Sequence, residues 1–147
     1  MIAIGCDHAG YELKCEVIKH LEEKGIKYID AGTHSSESVH YPLYAHNVCK
    51  MVTNGDAKFG ILICGTGIGM SMAANKVKGI RAAVCSDEFS TEFTRRHNDA
   101  NVMCLGARVL ETEKAIALVD IFLDSPFEGG KHKTRIDMIA DIENGIC

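Results

Sequence analysis

The sequence predicts a three-layer, doubly wound α/β fold with a five-stranded parallel sheet (Rossmann-like) and an extra C-terminal helix. Three observations carry this expectation. Short apolar, β-branched runs alternate with longer helix-periodic stretches, the pattern of βαβ units with right-handed crossovers. Five such runs occur, at residues 2–6, 27–30, 59–64, 81–85 and 102–106. The first, third, fourth and fifth have few polar interruptions, as parallel strands covered on both faces require.

The elements between them follow in order. Leu13, Val17 and Leu21 recur at four-residue spacing, and Ala45, Val48, Cys49 and Val52 fit one helical stripe. Gly25 and Gly55 stand just past these stripes, where a left-handed helix end is expected. Ser86 is the expected N-cap of the next helix, with Asp87 and Glu88 in its first turn. Two further helices are expected over residues 112–123 and 131–143, parted by the Pro- and Gly-punctuated stretch 124–130. No linker, repeat or low-complexity tract interrupts the 147 residues, so residues 1–147 read as one domain.

Composition narrows the partners. A formal net charge of −4 and a pI near 5.9 argue against a nucleic-acid binder, whose affinity rests on many cationic contacts. An anionic ligand must then be held by a local cluster of bases. The seven cysteines are odd in number and form no Cys-x-x-Cys pair, and Met1 runs directly into a core-like strand. Free thiols in a reducing, cytoplasmic compartment are the expectation. Residues 115–123, the most apolar helical stretch, are too short for a membrane span and include Asp120.

Ligands of open α/β sheets bind outside the carboxyl ends of the strands. Four of those ends carry polar groups: Asp7 and His8, the loop Cys64-Gly65-Thr66-Gly67-Ile68-Gly69, Ser86 and Asp87, and Arg108. The glycine loop opens a helix near Ile68, so its backbone N–H groups can converge on negative charge. It is no Walker loop, since no Lys-Ser or Lys-Thr follows, and a dinucleotide fingerprint would need its third glycine one residue later. Met70 excludes a Cys-x5-Arg phosphatase loop. By itself the loop reads equally as a tight turn, and Cys64 as a core thiol. Together, a thiol entering a helix N-terminus and an adjacent anion pocket suit proton abstraction next to a carbonyl. His97, Asn98 and Asp99 close the fourth helical stretch and are expected to join the same rim. Lys131, His132, Lys133 and Arg135 open the last helix at the positive end of its dipole. They read either as a solvated basic turn or as an anion site shared with a second subunit.

The ordered segments Gly5-Cys6-Asp7-His8-Ala9-Gly10, Asp30-Ala31-Gly32-Thr33, Tyr41-Pro42, the Cys64–Gly69 loop, Ala73-Ala74-Asn75-Lys76, Arg96-His97-Asn98-Asp99-Ala100-Asn101, Gly106-Ala107-Arg108 and Glu128-Gly129-Gly130-Lys131-His132 resemble ribose-5-phosphate isomerase type B. The wider group includes galactose-6-phosphate isomerase. The resemblance implies a metal-free aldose–ketose isomerisation of a sugar phosphate, without cofactor, through a cis-enediolate. It implies Cys64 as base, Thr66 in proton traffic, His97 in ring opening and Asn98 on the sugar hydroxyls. Asp7 and Tyr41 would orient the sugar, and the N–H groups of Gly65, Thr66, Gly67, Ile68 and Gly69 would face the enediolate. His8, Arg108, Lys131 and Arg135 would hold phosphate. A homodimer or dimer of dimers with shared sites is implied as well. Lys131 stands where the family often has Arg, and His40 where an Asp commonly precedes Tyr-Pro. Ribose and ribulose 5-phosphate are the expected pair. A six-carbon sugar phosphate such as allose or galactose 6-phosphate is the alternative, and a non-catalytic nucleotide-binding module a further one.

Overall fold

A computed structural model describes residues 1–146. Five strands form one parallel sheet: β1 (Ile2–Cys6), β2 (Tyr28–Asp30), β3 (Phe59–Cys64), β4 (Ala82–Val84) and β5 (Val102–Gly106). Their order is β2-β1-β3-β5-β4, with Ile2 level with Phe59, and Gly60 level with Val102. The three central strands are buried along their whole length, which is why they read as unbroken apolar runs.

Six helices connect and flank the strands: α1 (Tyr11–Glu23), α2 (Tyr41–Thr53), α3 (Ile68–Ala74), α4 (Glu88–Asn98), α5 (Thr112–Asp124) and α6 (Lys131–Glu143). Alternation along each strand divides the core in two. Ile2, Ile4, Ile61, Ile63, Met103 and Leu105 face the layer of α1 and α5, where Val17, Leu21, Leu118 and Phe122 are fully buried. Ala3, Leu62, Val102 and Cys104 face the other layer, with Val48 and Cys49 of α2 and Met70 of α3. Gly25 and Gly55 take φ of 69° and 89° directly after α1 and α2, as the sequence predicts.

Two local expectations change. The fourth strand is not covered on both faces: because β5 inserts between β3 and β4, β4 becomes a short edge strand, and Val84 is exposed. The N-cap of α4 is Asp87 rather than Ser86. Asp87 has the extended backbone of a cap, and its carboxylate accepts the Ser90 N–H at 2.7 Å. Among the described residues no helix is long and apolar enough to cross a membrane, and all six described cysteines are free thiols.

The path of the chain decides where a ligand can sit. From β1 it moves outward to β2, then returns across β1 to β3 on the opposite side. That reversal opens a crevice outside the carboxyl ends of β1 and β3. Asp7 and His8 follow one of these ends, and the glycine loop follows the other.

Candidate active site

The glycine loop is shaped by its own backbone. Gly67 has a φ of 79°, and a Cβ there would lie 3.1 Å from the backbone of Leu105, so only glycine fits the turn. The turn brings the Gly67 N–H to 3.1 Å from Cys64 Sγ, a buried contact that stabilises negative charge on sulfur. Thr66 Oγ1 accepts the Ile68 N–H at 3.3 Å. Along α3 the bond from Ser71 N to the Gly67 carbonyl is of the ordinary i to i−4 kind. The N–H groups of Gly69 and Met70, in the opening turn of α3, therefore have no acceptor within the helix. The expectation that every N–H from Gly65 to Gly69 faces a ligand is thus sharpened: those of Gly67 and Ile68 serve the loop's own sulfur and hydroxyl.

Cys64 differs in setting from the other buried cysteines. Burial pushes the thiols of Cys6 and Cys49 up to about 12 and that of Cys85 to about 11, and raises Cys104 well above its ordinary value. Those four pack in the core as small apolar groups. Cys64 is also buried, but it meets a backbone donor at the mouth of the crevice.

Neighbouring elements complete this rim. Asp7 is buried, and its Oδ1 accepts the N–H groups of Ala9 and Gly10 at 3.0 and 3.1 Å, capping a single 3₁₀ turn. That leaves Oδ2 for a ligand. The 3₁₀ turn sits directly on β3, since a Cβ on Gly10 would come 2.5 Å from the Ile63 carbonyl oxygen. His8 accepts the Val39 N–H on Nδ1 at 3.2 Å, which fixes the proton of the neutral ring on Nε2 as a donor. Tyr41 opens α2 and lays its ring against Gly69, where a Cβ would meet ring carbons at 2.8 Å. Arg108 follows β5, with its Nη1 3.3 Å from the position of a Cβ on Gly65. Asp7, His8, Tyr41, Cys64, the loop and Arg108 are therefore one constellation at the carboxyl ends of the strands.

His97 and Asn98 do not join it. A crossover helix carries the chain back from the carboxyl to the amino ends of a parallel sheet, and α4 leaves its last residues there. Arg81, just before β4, donates from Nε to the Asn98 carbonyl at 3.0 Å and from Nη2 to that of Asp99 at 2.9 Å. The buried Arg95 grips Asp99 and the Ala100 carbonyl, each at 2.7 Å, and lies over the ring of Phe59. At about 3.3 Å per residue, the two ends of β5 are roughly 13 Å apart. The expectation of a single rim holding all candidate residues is overturned by this topology.

The C-terminal helix meets His97 at that amino end. Its basic residues Lys131 and Arg135 are exposed, and only Ile136 of the helix is buried. The His97 and His132 rings stack with centroids 4.0 Å apart and an interplanar angle of 9°. Glu128 Oε1 stands 3.5 Å from His97 Nε2 and 3.6 Å from His132 Nε2. Desolvation, then the nearby charge of His97, holds the His132 imidazolium below its usual range, against the pull of Glu128. Glu128 is a residue that sequence reasoning missed. Its four-residue spacing to His132 was the available signal.

Comparison with known proteins identifies the family. The profile of the Ribose/Galactose Isomerase family matches residues 2–139. The chain belongs to that family. It is 51% identical to ribose-5-phosphate isomerase B of Escherichia coli strain K12, over 97% of this chain and 95% of the relative. Among solved structures, ribose-5-phosphate isomerase B of Clostridium thermocellum superposes with a TM-score of 0.97 at 47% identity, covering 99% of both chains. The Mycoplasma genitalium enzyme with bound ribulose-5-phosphate superposes at 0.92 and 43% identity, covering 97% of this chain and 95% of that one. The chain is an isomerase of this family on a five-stranded Rossmann-like sheet with an added C-terminal helix.

Proposed function

We propose that the chain interconverts ribose 5-phosphate and ribulose 5-phosphate through a cis-enediolate, with Cys64 as the base. The observation that carries this is the Gly67 N–H held 3.1 Å from Cys64 Sγ, beside further helix-opening donors. Sulfur takes the proton from C2 and returns it to C1, while the N–H groups at the start of α3 meet the charge that develops on the carbonyl oxygen. Thr66 serves proton exchange between the two oxygens. Asp7 and Tyr41 orient the chain of hydroxyls, and His8 and Arg108 hold the phosphate, whose binding positions the reacting carbons.

Ring opening belongs to His97, with Asn98 on the hydroxyls and Lys131 and Arg135 adding to the phosphate grip. Their position at the amino end of the sheet supports a site assembled from two copies, the carboxyl ends of one sheet facing the amino-end residues of the other copy. The exposed Met138, Ile139 and Ile142 of α6 support the same reading, because an apolar helix face beside an open sheet edge suits a covered interface.

The test is kcat/KM across a panel of pentose and hexose phosphates, with C2-proton exchange followed by NMR. Ribose 5-phosphate is expected to exceed every hexose phosphate. A hexose phosphate in first place would reassign the substrate. His97→Ala is expected to cost far more with the furanose than with an open-chain substrate, and equal losses would remove His97 from ring opening.

A further inference from the structure

The His97–Glu128–His132 cluster holds a donor set that sugar chemistry alone does not require. Two imidazole nitrogens and a carboxylate oxygen lie within 4.8 Å of one another. Zinc binds such donors at about 2.0–2.2 Å in tetrahedral geometry, so two of its ligands stand roughly 3.4 Å apart. The edges from Glu128 Oε1 to the two Nε2 atoms, at 3.5 and 3.6 Å, already have nearly that length. The rings are stacked at an interplanar angle of 9°, so they must unstack and tilt toward each other for both in-plane lone pairs to converge on one ion.

The surroundings hold the three donors in place. The Phe93 ring meets His97 edge-on at 4.9 Å. The Glu128 N–H donates to the Arg96 carbonyl at 3.0 Å, tying the segment before α6 to α4. Arg96 Nη1 stands 3.5 Å from Glu128 Oε2, and its Nε is itself held by Glu92 at 2.7 Å. That arrangement occupies one carboxylate oxygen and leaves Oε1 toward the histidines, the kind of outer support that orients metal ligands. The His132 side chain is 12% exposed, while those of His97 and Glu128 are 38% and 41% exposed. An ion can therefore enter from solvent and complete its shell with water. Two nitrogens and one oxygen favour a first-row transition ion over magnesium or calcium.

We propose that His97, Glu128 and His132 bind one divalent transition-metal ion of the zinc type, which inhibits the enzyme by occupying the His97 imidazole. The ion takes the lone pair through which His97 would move a proton. The binding site stands on its own geometry, whereas the inhibition rests on the ring-opening role proposed above.

The experiment uses the full-length protein in its native assembly, with zinc titrated calorimetrically and cobalt as the spectroscopic probe. One ion per chain is expected. His132→Gln and Glu128→Gln should each weaken zinc binding at least about tenfold, since even outer-shell losses reach that range. Both side chains reach solvent, and thermal melts would check that each variant is folded. Zinc should slow turnover of furanose ribose 5-phosphate in the wild type, and His132→Gln should be resistant relative to its own metal-free rate. Zinc affinity unchanged in both variants would overturn the site, as would a cobalt spectrum dominated by thiolate charge transfer that survives them. Zinc binding lost in the variants of a protein inactive on every sugar phosphate would uphold the site and remove the isomerase reading instead.

Discussion

The carboxyl ends of the strands and the histidine cluster at their amino end hold their groups by different means. At the carboxyl ends the backbone does the positioning: Asp7 Oδ1 caps a 3₁₀ turn, Gly67 aims its N–H at Cys64, and glycine leaves room for the Tyr41 ring. These groups belong to short segments anchored on buried strands, so they are set rigidly. At the amino end side chains do the positioning. Arg81 and Arg95 fasten the turn after α4, and ring stacking and Glu128 bring His132 to His97. α6 buries only Ile136, so this region has little core of its own. The proposed base, Cys64, needs the first kind of support. Groups proposed to meet a substrate held by another subunit can rely on the second.

Four experiments would break or sharpen that contrast. The largest effect is expected at the carboxyl ends. Cys64→Ala should lower kcat by about 10²–10⁴-fold, the usual range for a positioned base. Calorimetry should still detect ribose 5-phosphate binding, and C2-proton exchange at the wild-type rate would dismiss the thiol as base.

Next comes subunit complementation between the two ends. Cys64→Ala and His97→Ala chains, unfolded and refolded together, should recover about a quarter of wild-type furanose turnover. Half of the random dimers are mixed, and one site of two in each is intact. No recovery above the separate variants would mean that each chain works with its own two ends.

A smaller change is expected from the phosphate contacts proposed for α6. Lys131→Ala should raise KM for ribose 5-phosphate by about tenfold with kcat nearly unchanged, the signature of lost uniform binding. Lys131→Arg should lower KM, because a planar fork replaces a point charge. An effect confined to kcat would place Lys131 at the chemistry rather than at the phosphate.

The smallest effect concerns neither end, and separates folding from function. Asp120 is partly desolvated, which raises its pKa, but hydrogen bonds from His20 at 2.8 Å and Lys24 at 3.1 Å outweigh this and hold it low. A carboxyl depressed in the folded state stabilises it above the unfolded value of about 3.9, and that stabilisation fades as pH falls through the lower folded value. Asp120→Asn should therefore lower Tm modestly at neutral pH and lose this difference in acid, with kcat/KM unaltered. A Tm gap that persists in strong acid would contradict the ionic origin.

How far the sequence could be read follows the same division. The buried strands and α1, α2 and α5 were legible because burial imposes a period, glycines marked the ends of α1 and α2, and the Pro- and Gly-punctuated stretch 124–130 set off α6. Asp87 in place of Ser86 was a one-residue error of the kind caps allow, since both residue types serve that role. The edge position of β4 was not legible, because strand order depends on where β5 inserts and not on the composition of β4. The glycine loop and Cys64 were visible as a local pattern, while Glu128 carried no local mark beyond its spacing to His132.

The sequence by itself determined the class of fold, the helix-opening loop with its thiol, and the family. Those are properties of contiguous residues, whose periodicity and local hydrogen bonding need no distant partner. Only the tertiary structure decided that Cys64 and His97 stand at opposite ends of the sheet. That separation comes from the return path of α4 in a parallel sheet, and it is what divides the candidate site into two halves.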